Sequence, residues 1–309
     1  IHLRKIAIDK GLKINEYGIF NAESGKRIGG KTEDQIYKIL ELDFIPPELR
    51  EDAGEIERAA RHQLPLLLEP RDIKGDFHVH TKASDGSDSI EELVEAARAM
   101  RYEYLTISDH SVSLAIAGGL SKNELLKQVR QIADMNKRLR KFRIFAGTEV
   151  DIMKDGSLDY TDSVLAELDI VIAAVHSGFK QSREKLTSRI VKAMQNKHVN
   201  IISHITGRLM GSRDEYPLDM GEIFKVASQT NTALEINAFP LRLDLNDAHA
   251  RAAKEAGVML AIGTDTHSAD QLKNMRFGVT VARRAWLETK NVLNTLSASE
   301  IVRRLKKKM

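Results

Sequence analysis

The chain has 309 residues, 42% of them apolar and 29% charged, enough for one large core and a smaller piece. Its net charge of +3, from 47 basic and 44 acidic residues, neither demands nor forbids a nucleic-acid partner. Cysteine is absent, which excludes disulfides, thiolate nucleophiles and zinc-thiolate sites and leaves His, Asp and Glu as the available metal ligands.

No apolar run approaches the roughly 20 residues that cross a bilayer, and no signal sequence opens the chain, so a cytoplasmic protein with no membrane partner is expected. The chain starts at Ile1 in mid-pattern, as a fragment of a longer protein would. Residues 1–45 read as an opening helix, a turn at Gly29-Gly30 and a second short helix over 32–40 capped by Thr32, too little for a stable domain. Residues 46–73 mix prolines, charges and an apolar run, as a linker that packs as it goes.

From residue 74 to 309 the pattern alternates strand and helix. Strands are predicted at 75–80, 104–108, 143–150, 169–175, 200–203, 233–238 and 259–264, with amphipathic helices at 89–100, 121–139, 182–196, 218–229 and 247–257. The interval 143–175 instead carries a turn-rich insert and one short helix near 163–167. Seven strands with intervening helices give an α/β class, either a parallel β/α barrel or a doubly wound sheet.

The run Gly-Asp-Phe-His-Val-His-Thr at 75–81 alternates, so a strand there points His78 and His80 to one side, roughly 7 Å apart, where two imidazoles can grip one ion. The Ser-Asp-Gly that follows is turn chemistry, which brings the Asp85 carboxylate back over the strand end. His110, His176, His204, Asp265 and His267 lie at or just past further strand ends, and Glu149 lies on the third strand. In parallel sheets and barrels that edge collects catalytic side chains. Six of the ten histidines fall there, and with Glu149, Asp85 and Asp265 they form a nine-residue set that points to a polynuclear metal site. His2, His62, His198 and His249 lie off this rim and read as surface or packing residues.

These motifs, with Ser-Asp-His-Ser, Gly-Thr-Glu-Val-Asp, Ala-Ala-Val-His-Ser, Ile-Ser-His-Ile-Thr-Gly-Arg and Gly-Thr-Asp-Thr-His, resemble those of the PHP (polymerase and histidinol phosphatase) family. The resemblance implies a distorted seven-stranded (β/α)7 barrel and three divalent metal ions. One ion would take His78, His80, Glu149 and Asp265, a second would share Glu149 with His176 and His204, and a third would take Asp85, His110 and His267. The family often has histidine at the position of Asp85, which makes the third site more oxygen-rich here. Asn-Glu-Tyr-Gly-Ile-Phe at 15–20 and Phe-Ile-Pro-Pro-Glu-Leu-Arg at 44–50 resemble the thumb end and linker of bacterial and archaeal family X DNA polymerases. The expected organisation is therefore a thumb remnant (1–45), a linker (46–73) and a PHP phosphoesterase domain (74–309), normally fused to a polymerase core. No Asp-x-Asp pair of the nucleotidyl-transfer type occurs, so polymerase activity is not expected of this chain.

Nitrogen and oxygen ligands suit Zn²⁺, Mn²⁺ or Fe²⁺. A carboxylate bridging two such ions sets them roughly 3.5–4 Å apart with a shared hydroxide as nucleophile, which casts Glu149, His176 and Asp265 as catalytic. Arg208 and Arg242, beyond the fifth and sixth strands, are candidate phosphate contacts. The basic tail, Arg303 to Lys308, reads as a solvated helix end. The expected function is a metal-dependent phosphodiesterase that processes accessible DNA 3′ ends in repair. The resemblance implies 3′-5′ exonuclease activity, with cleavage at abasic or 3′-blocked sites beside it. The alternatives are a small-molecule phosphatase of the histidinol-phosphate type and a non-enzymatic accessory barrel, against which the complete ligand set argues.

Overall fold

The computed structural model describes residues 1–306, so Lys307 and Lys308 of the basic tail lie outside the described residues. The chain divides into two compact units, Ile1–Leu66 and Leu67–Met309. Among the described residues no helix is long and apolar enough to cross a membrane.

The first unit contains the helix His2–Asp9, three antiparallel strands (β1, Leu12–Asn15; β2, Gly18–Asn21; β3, Arg27–Gly29) and the helix Glu33–Ile39. The side chain of Thr32 accepts the hydrogen bond from Gln35 N, as its place before the helix predicts. The small sheet escapes a pattern reading, because strands of three or four residues are too short to establish a period of two. Its hairpin requires glycine at Gly18 (φ +137°), where a Cβ would sit 2.5 Å from Gly29 O. Residues 46–66 belong to this unit and contain the helix Glu55–Ala60, which buries Ile56 and Ala59.

The second unit is a barrel of seven strands: β4 (Gly75–Asp76), β5 (Tyr104–Ile107), β6 (Arg143–Asp151), β7 (Ile170–Ala174), β8 (Ile201–Ile202), β9 (Ala233–Asn237) and β10 (Leu260–Gly263). All neighbours are parallel and follow chain order, which excludes the doubly wound alternative. The predicted strand at 75–80 is interrupted. The Asp76 carboxylate accepts from His78 N and Thr264 N, both at 3.1 Å, where backbone would otherwise pair. Pairing resumes at Val79 with Thr266, beside His80 N donating to Thr266 O at 2.8 Å, and this closes the ring.

Side chains alternate between two apolar layers. Leu105, Ile107, Ile144, Ala146, Val171, Ala173, Leu234 and Ile262 face outward to the helices. Tyr104, Phe145, Ile170, Ile172, Ile201, Ala233 and Ala261 fill the lower interior, with Leu293 and Ile301 in the same cluster. Ser89, Ser121, Ser182 and Asn246 each accept from a backbone N–H three residues on and so start the helices near their predicted positions. After β10 the strand-helix alternation expected to run to the end of the chain stops, and the stretch forms short 3₁₀ turns and the helices Met275–Arg284 and Ala298–Lys306.

Between β4 and β10 the backbone ladder is incomplete, and fully buried Asn294 takes its place. Its Oδ1 accepts from Ile262 N at 2.7 Å, and its Nδ2 donates to Gly75 O and Ile262 O at 2.8 Å each. Asn294→Ala strips three buried backbone groups of partners and should cost about 2–4 kcal/mol of stability, measured by urea denaturation of the whole chain. An unchanged midpoint would show that the seam does not depend on this amide.

Candidate metal centre

Above the apolar lower layer the barrel interior turns polar. The inward positions that begin with Phe145 on β6 continue through Gly147 to Glu149, which is 1% exposed. Gly147 leaves no room for a side chain, since a Cβ there would lie 2.7 Å from Ile170 O and 2.8 Å from Thr106 Cγ2. His78 and His80 follow β4, His110 follows β5, His176 follows β7, His204 follows β8, and Asp265 and His267 follow β10. His204 (φ +23°) and Asp265 (φ +53°) have left-handed backbones, a cost of about 1 kcal/mol or more each. His204 is held in place by its N–H donating to Glu235 Oε2 at 2.9 Å.

The structure brings the nine predicted residues to one end of the barrel, with five of the histidines around the Glu149 carboxylate. Glu149 Oε2 lies 3.0 Å from His110 Nδ1, 3.4 Å from His78 Nε2 and 3.6 Å from His80 Nε2. Its Oε1 lies 2.9 Å from His204 Nε2 and 3.5 Å from His176 Nε2. Five imidazoles thus surround two buried oxygens, neither of which has a hydrogen-bond partner. Asp265 Oδ1 stands 3.2 Å from His80 Nε2 and 3.6 Å from His78 Nε2. Asp85 Oδ2 stands 3.4 Å from His110 Nε2 and 3.3 Å from His267 Nε2.

Three groups have ligand atoms close enough together to hold a cation: His78, His80 and Asp265; His110, Glu149 and His176; and His80, Asp85, His110 and His267. They overlap the three sets that the family resemblance implies, with His80 and His110 each standing between two of them. The residues fit divalent ions on internal grounds. Both Glu149 oxygens, His80 Nδ1 and His110 Nδ1 are buried without partners, and the Nε2 atoms of His78 and His80 converge to 3.0 Å.

Oxygens behind three of the rings settle which nitrogen faces the site. His78 Nδ1 lies 2.7 Å from Glu235 Oε1, His176 Nδ1 2.5 Å from Asp151 Oδ1, and His267 Nδ1 2.8 Å from Asp265 O. Each arrangement favours a proton on Nδ1 and turns Nε2 toward the centre, where it would bind a cation once its own proton is displaced. Glu235 also accepts from Ser203 Oγ, and Asp109 ties down the Asp85 turn through Thr81 N, Thr81 Oγ1 and Ser84 Oγ. Sequence reasoning missed Glu235, Asp151 and Asp109. The signal available was an acidic residue inside a buried strand for Glu235, and the inward position two past Glu149 for Asp151.

Burial alone would raise the carboxyl pKa values and lower those of the rings, yet opposite charges reverse the trend at Glu149, Asp265, His110 and His176. Glu149 and Asp265 are held well below the usual carboxylate range despite burial, chiefly by His78. Burial pulls His110 and His176 down, but Glu149 acting with Asp85 on the first and with Asp151 on the second outweighs it, and the two rise to about 10 and about 9. His204 falls to about 4 through burial and the nearby Arg242 cation, and His80 falls through burial and His110. In the protein chain alone, ring protons neutralise the acidic centre, and bound cations would displace them.

The centre opens into a cleft of about 320 Å³, one wall of which is Arg242, with Nε 3.3 Å from Asp265 Oδ2. Arg208, the other candidate phosphate contact, does not line this cleft. Its guanidinium donates to Arg242 O at 2.7 Å and to Leu243 O, and pairs with Glu215 at 3.5 Å. Two of its guanidinium nitrogens are thus engaged by the backbone of the loop that carries Arg242.

Residues 1–51 match the family described as DNA polymerase beta thumb, and residues 76–239 match the PHP domain. The chain is 45% identical over 307 residues to the DNA polymerase/3′-5′ exonuclease PolX of Bacillus subtilis (strain 168), covering 99% of this chain and 54% of that protein. It thus spans about half the length of that relative. A solved histidinol phosphate phosphatase from Lactococcus lactis, complexed with zinc, L-histidinol and phosphate, superposes with a TM-score of 0.51 at 19% identity. That alignment covers 69% of this chain and 93% of the other. A candidate histidinol phosphatase of Listeria monocytogenes gives a TM-score of 0.54 at 15% identity, over 64% and 97% of the two chains. At those identities the likeness establishes the barrel alone. With the PHP match spanning more than half of its residues and a thumb match ahead of it, the chain belongs to the PHP family of metal-dependent phosphoesterases, in the form found in family X DNA polymerases.

Proposed function

We propose that this phosphoesterase processes DNA 3′ ends in repair, releasing nucleoside 5′-monophosphates stepwise as a 3′-5′ exonuclease. The observation that carries the hydrolytic part is the buried, unpaired Glu149 carboxylate among five imidazoles. The choice of DNA is supported by the thumb match over 1–51 and by the name of the Bacillus subtilis relative. In the longer protein this reading has the PHP domain working beside a polymerase core.

By the family resemblance His78, His80, Glu149 and Asp265 would hold one divalent ion, Glu149, His176 and His204 a second, and Asp85, His110 and His267 a third, sets that share members with the three groups of converging ligand atoms without being identical to them. Such ions supply Lewis acidity toward phosphate and make water acidic enough to attack near neutral pH. The chain's own residues position the substrate. Arg242 offers its guanidinium to the non-bridging phosphate oxygens, and its tie to Asp265 fixes where that contact falls. Asp151 and Glu235 keep the protons of His176 and His78 on the outer nitrogens. A flexible single-stranded 3′ end can reach the cleft floor, whereas an intact duplex is too stiff to bring an internal phosphate there.

Purified chain supplied with Mn²⁺ or Zn²⁺ should turn a 5′-labelled oligonucleotide into a ladder descending by single nucleotides, and chelator should stop it. Early internal fragments, or activity confined to small phosphomonoesters, would reject the exonuclease and favour the histidinol-phosphate type of phosphatase.

Glu149→Gln should abolish hydrolysis and lower bound metal, measured by inductively coupled plasma mass spectrometry, more than Asp85→Asn does. Equal metal content in the two variants would contradict a central role for Glu149. Arg242→Ala should keep its metal and lose turnover on DNA by about 10- to 100-fold, the equivalent of one charge-assisted hydrogen bond. An unchanged rate would remove Arg242 from the phosphate site.

A further inference from the structure

The cleft over the metal centre is polar except on one wall. There Leu114, Ile116 and Ala117, all from the loop after β5, line it beside the site residues. Ile116 is 95% exposed, and Val112 from the same loop is 48% exposed. A β-branched apolar side chain held almost wholly in water loses the free energy that its burial would release. Neither an inorganic phosphate nor a phosphorylated polyol has an apolar face to cover it.

The loop is held firmly at its base. Ser111 bridges to Leu120, and Leu120 N donates to His110 O at 2.8 Å. Ser113 donates through its N–H to Asp159 Oδ2 at 2.7 Å and through Oγ to Asp151 Oδ2 at 2.8 Å. Asp151 is the carboxylate that orients His176, so the loop is fastened to the support of a site residue. Ala117 and Leu120 are buried, and Gly119 must be glycine, since a Cβ there would lie 1.9 Å from Ser111 O. A short 3₁₀ turn, Ala115–Ala117, then carries Ile116 at the lip. Its position is set before any ligand arrives, so a contact made there pays little ordering entropy.

We infer that Ile116 is an apolar wedge that packs against the base of the 3′-terminal nucleotide and holds it unstacked while the phosphodiester lies over Glu149. This rests on the DNA reading proposed above. The chemistry that fits is a substrate with an anionic end for Arg242 and the metal ligands and a flat apolar face for the Ile116 wall, which a nucleotide combines. Aliphatic side chains serve as such wedges between bases because either face of any base is apolar, so the contact is indifferent to sequence.

The test compares two 5′-labelled single-stranded oligonucleotides that differ only in whether the 3′-terminal sugar carries a base. The metal-loaded chain should remove the base-bearing nucleotide with a kcat/KM about tenfold higher, the ratio that corresponds to 1.4 kcal/mol of apolar contact. Ile116→Ser should lose that factor on the base-bearing end and show no preference between the two substrates, and Ile116→Leu should recover the preference. Equal losses on both substrates, or a wild-type chain indifferent to the base, would overturn the wedge while leaving the exonuclease intact. A wild-type chain that shortens neither oligonucleotide would reject the nuclease reading, and the wedge with it.

Discussion

A carboxylate buried at the top of a barrel, with no hydrogen bond to either oxygen, is the constraint on which this structure turns. Glu149 is 1% exposed and sits among nitrogens of five histidines supplied from four different strand ends. An isolated ion there would cost many kcal/mol, so the site demands positive charge, either as ring protons or as bound cations. The parallel barrel meets that demand because its strands run the same way and deliver their last residues to one rim. The lower interior, filled by Tyr104, Phe145 and isoleucines, keeps the floor dry and strengthens every charge interaction above it.

Around the nine residues lies a layer of groups that aim them. Glu235, Asp151 and the carbonyl of Asp265 each take the outward ring nitrogen of one histidine, while Asp109 fastens the turn that carries Asp85. Arg208 holds the loop backbone beside Arg242, so two arginines separated by 34 residues act in sequence, one shaping and one facing the cleft. Strained backbone at His204 and Asp265 persists because those surroundings determine it.

The seven strands were legible because they are short apolar runs mostly separated by helical periods, while the choice of a barrel over a doubly wound sheet rested on the family resemblance; the rim was legible because histidine is scarce and clusters at strand ends. Asp76 shows where such reading stops. A strand pattern at 75–80 cannot reveal that the carboxylate enters the ladder and splits it. Nor does the text near Asn294 announce that its amide completes the seam between the first and last barrel strands, because that contact joins positions 219 residues apart. Arg208 and Arg242 look alike as loop arginines, and only the backbone carbonyls around Arg208 separate their roles. The small β1–β3 sheet was hidden by the brevity of its strands.

We propose that the histidine rim is a polynuclear metal centre organised by Glu149. Anomalous diffraction from crystals of the chain grown with Mn²⁺ tests it most directly, because the scattering locates each ion without reference to activity. A polynuclear centre would give more than one anomalous peak in the cleft, with ions bound to both oxygens of Glu149. A Glu149 carboxylate hydrogen-bonded to protonated imidazoles, with no ion within coordination distance under saturating Mn²⁺, would contradict it.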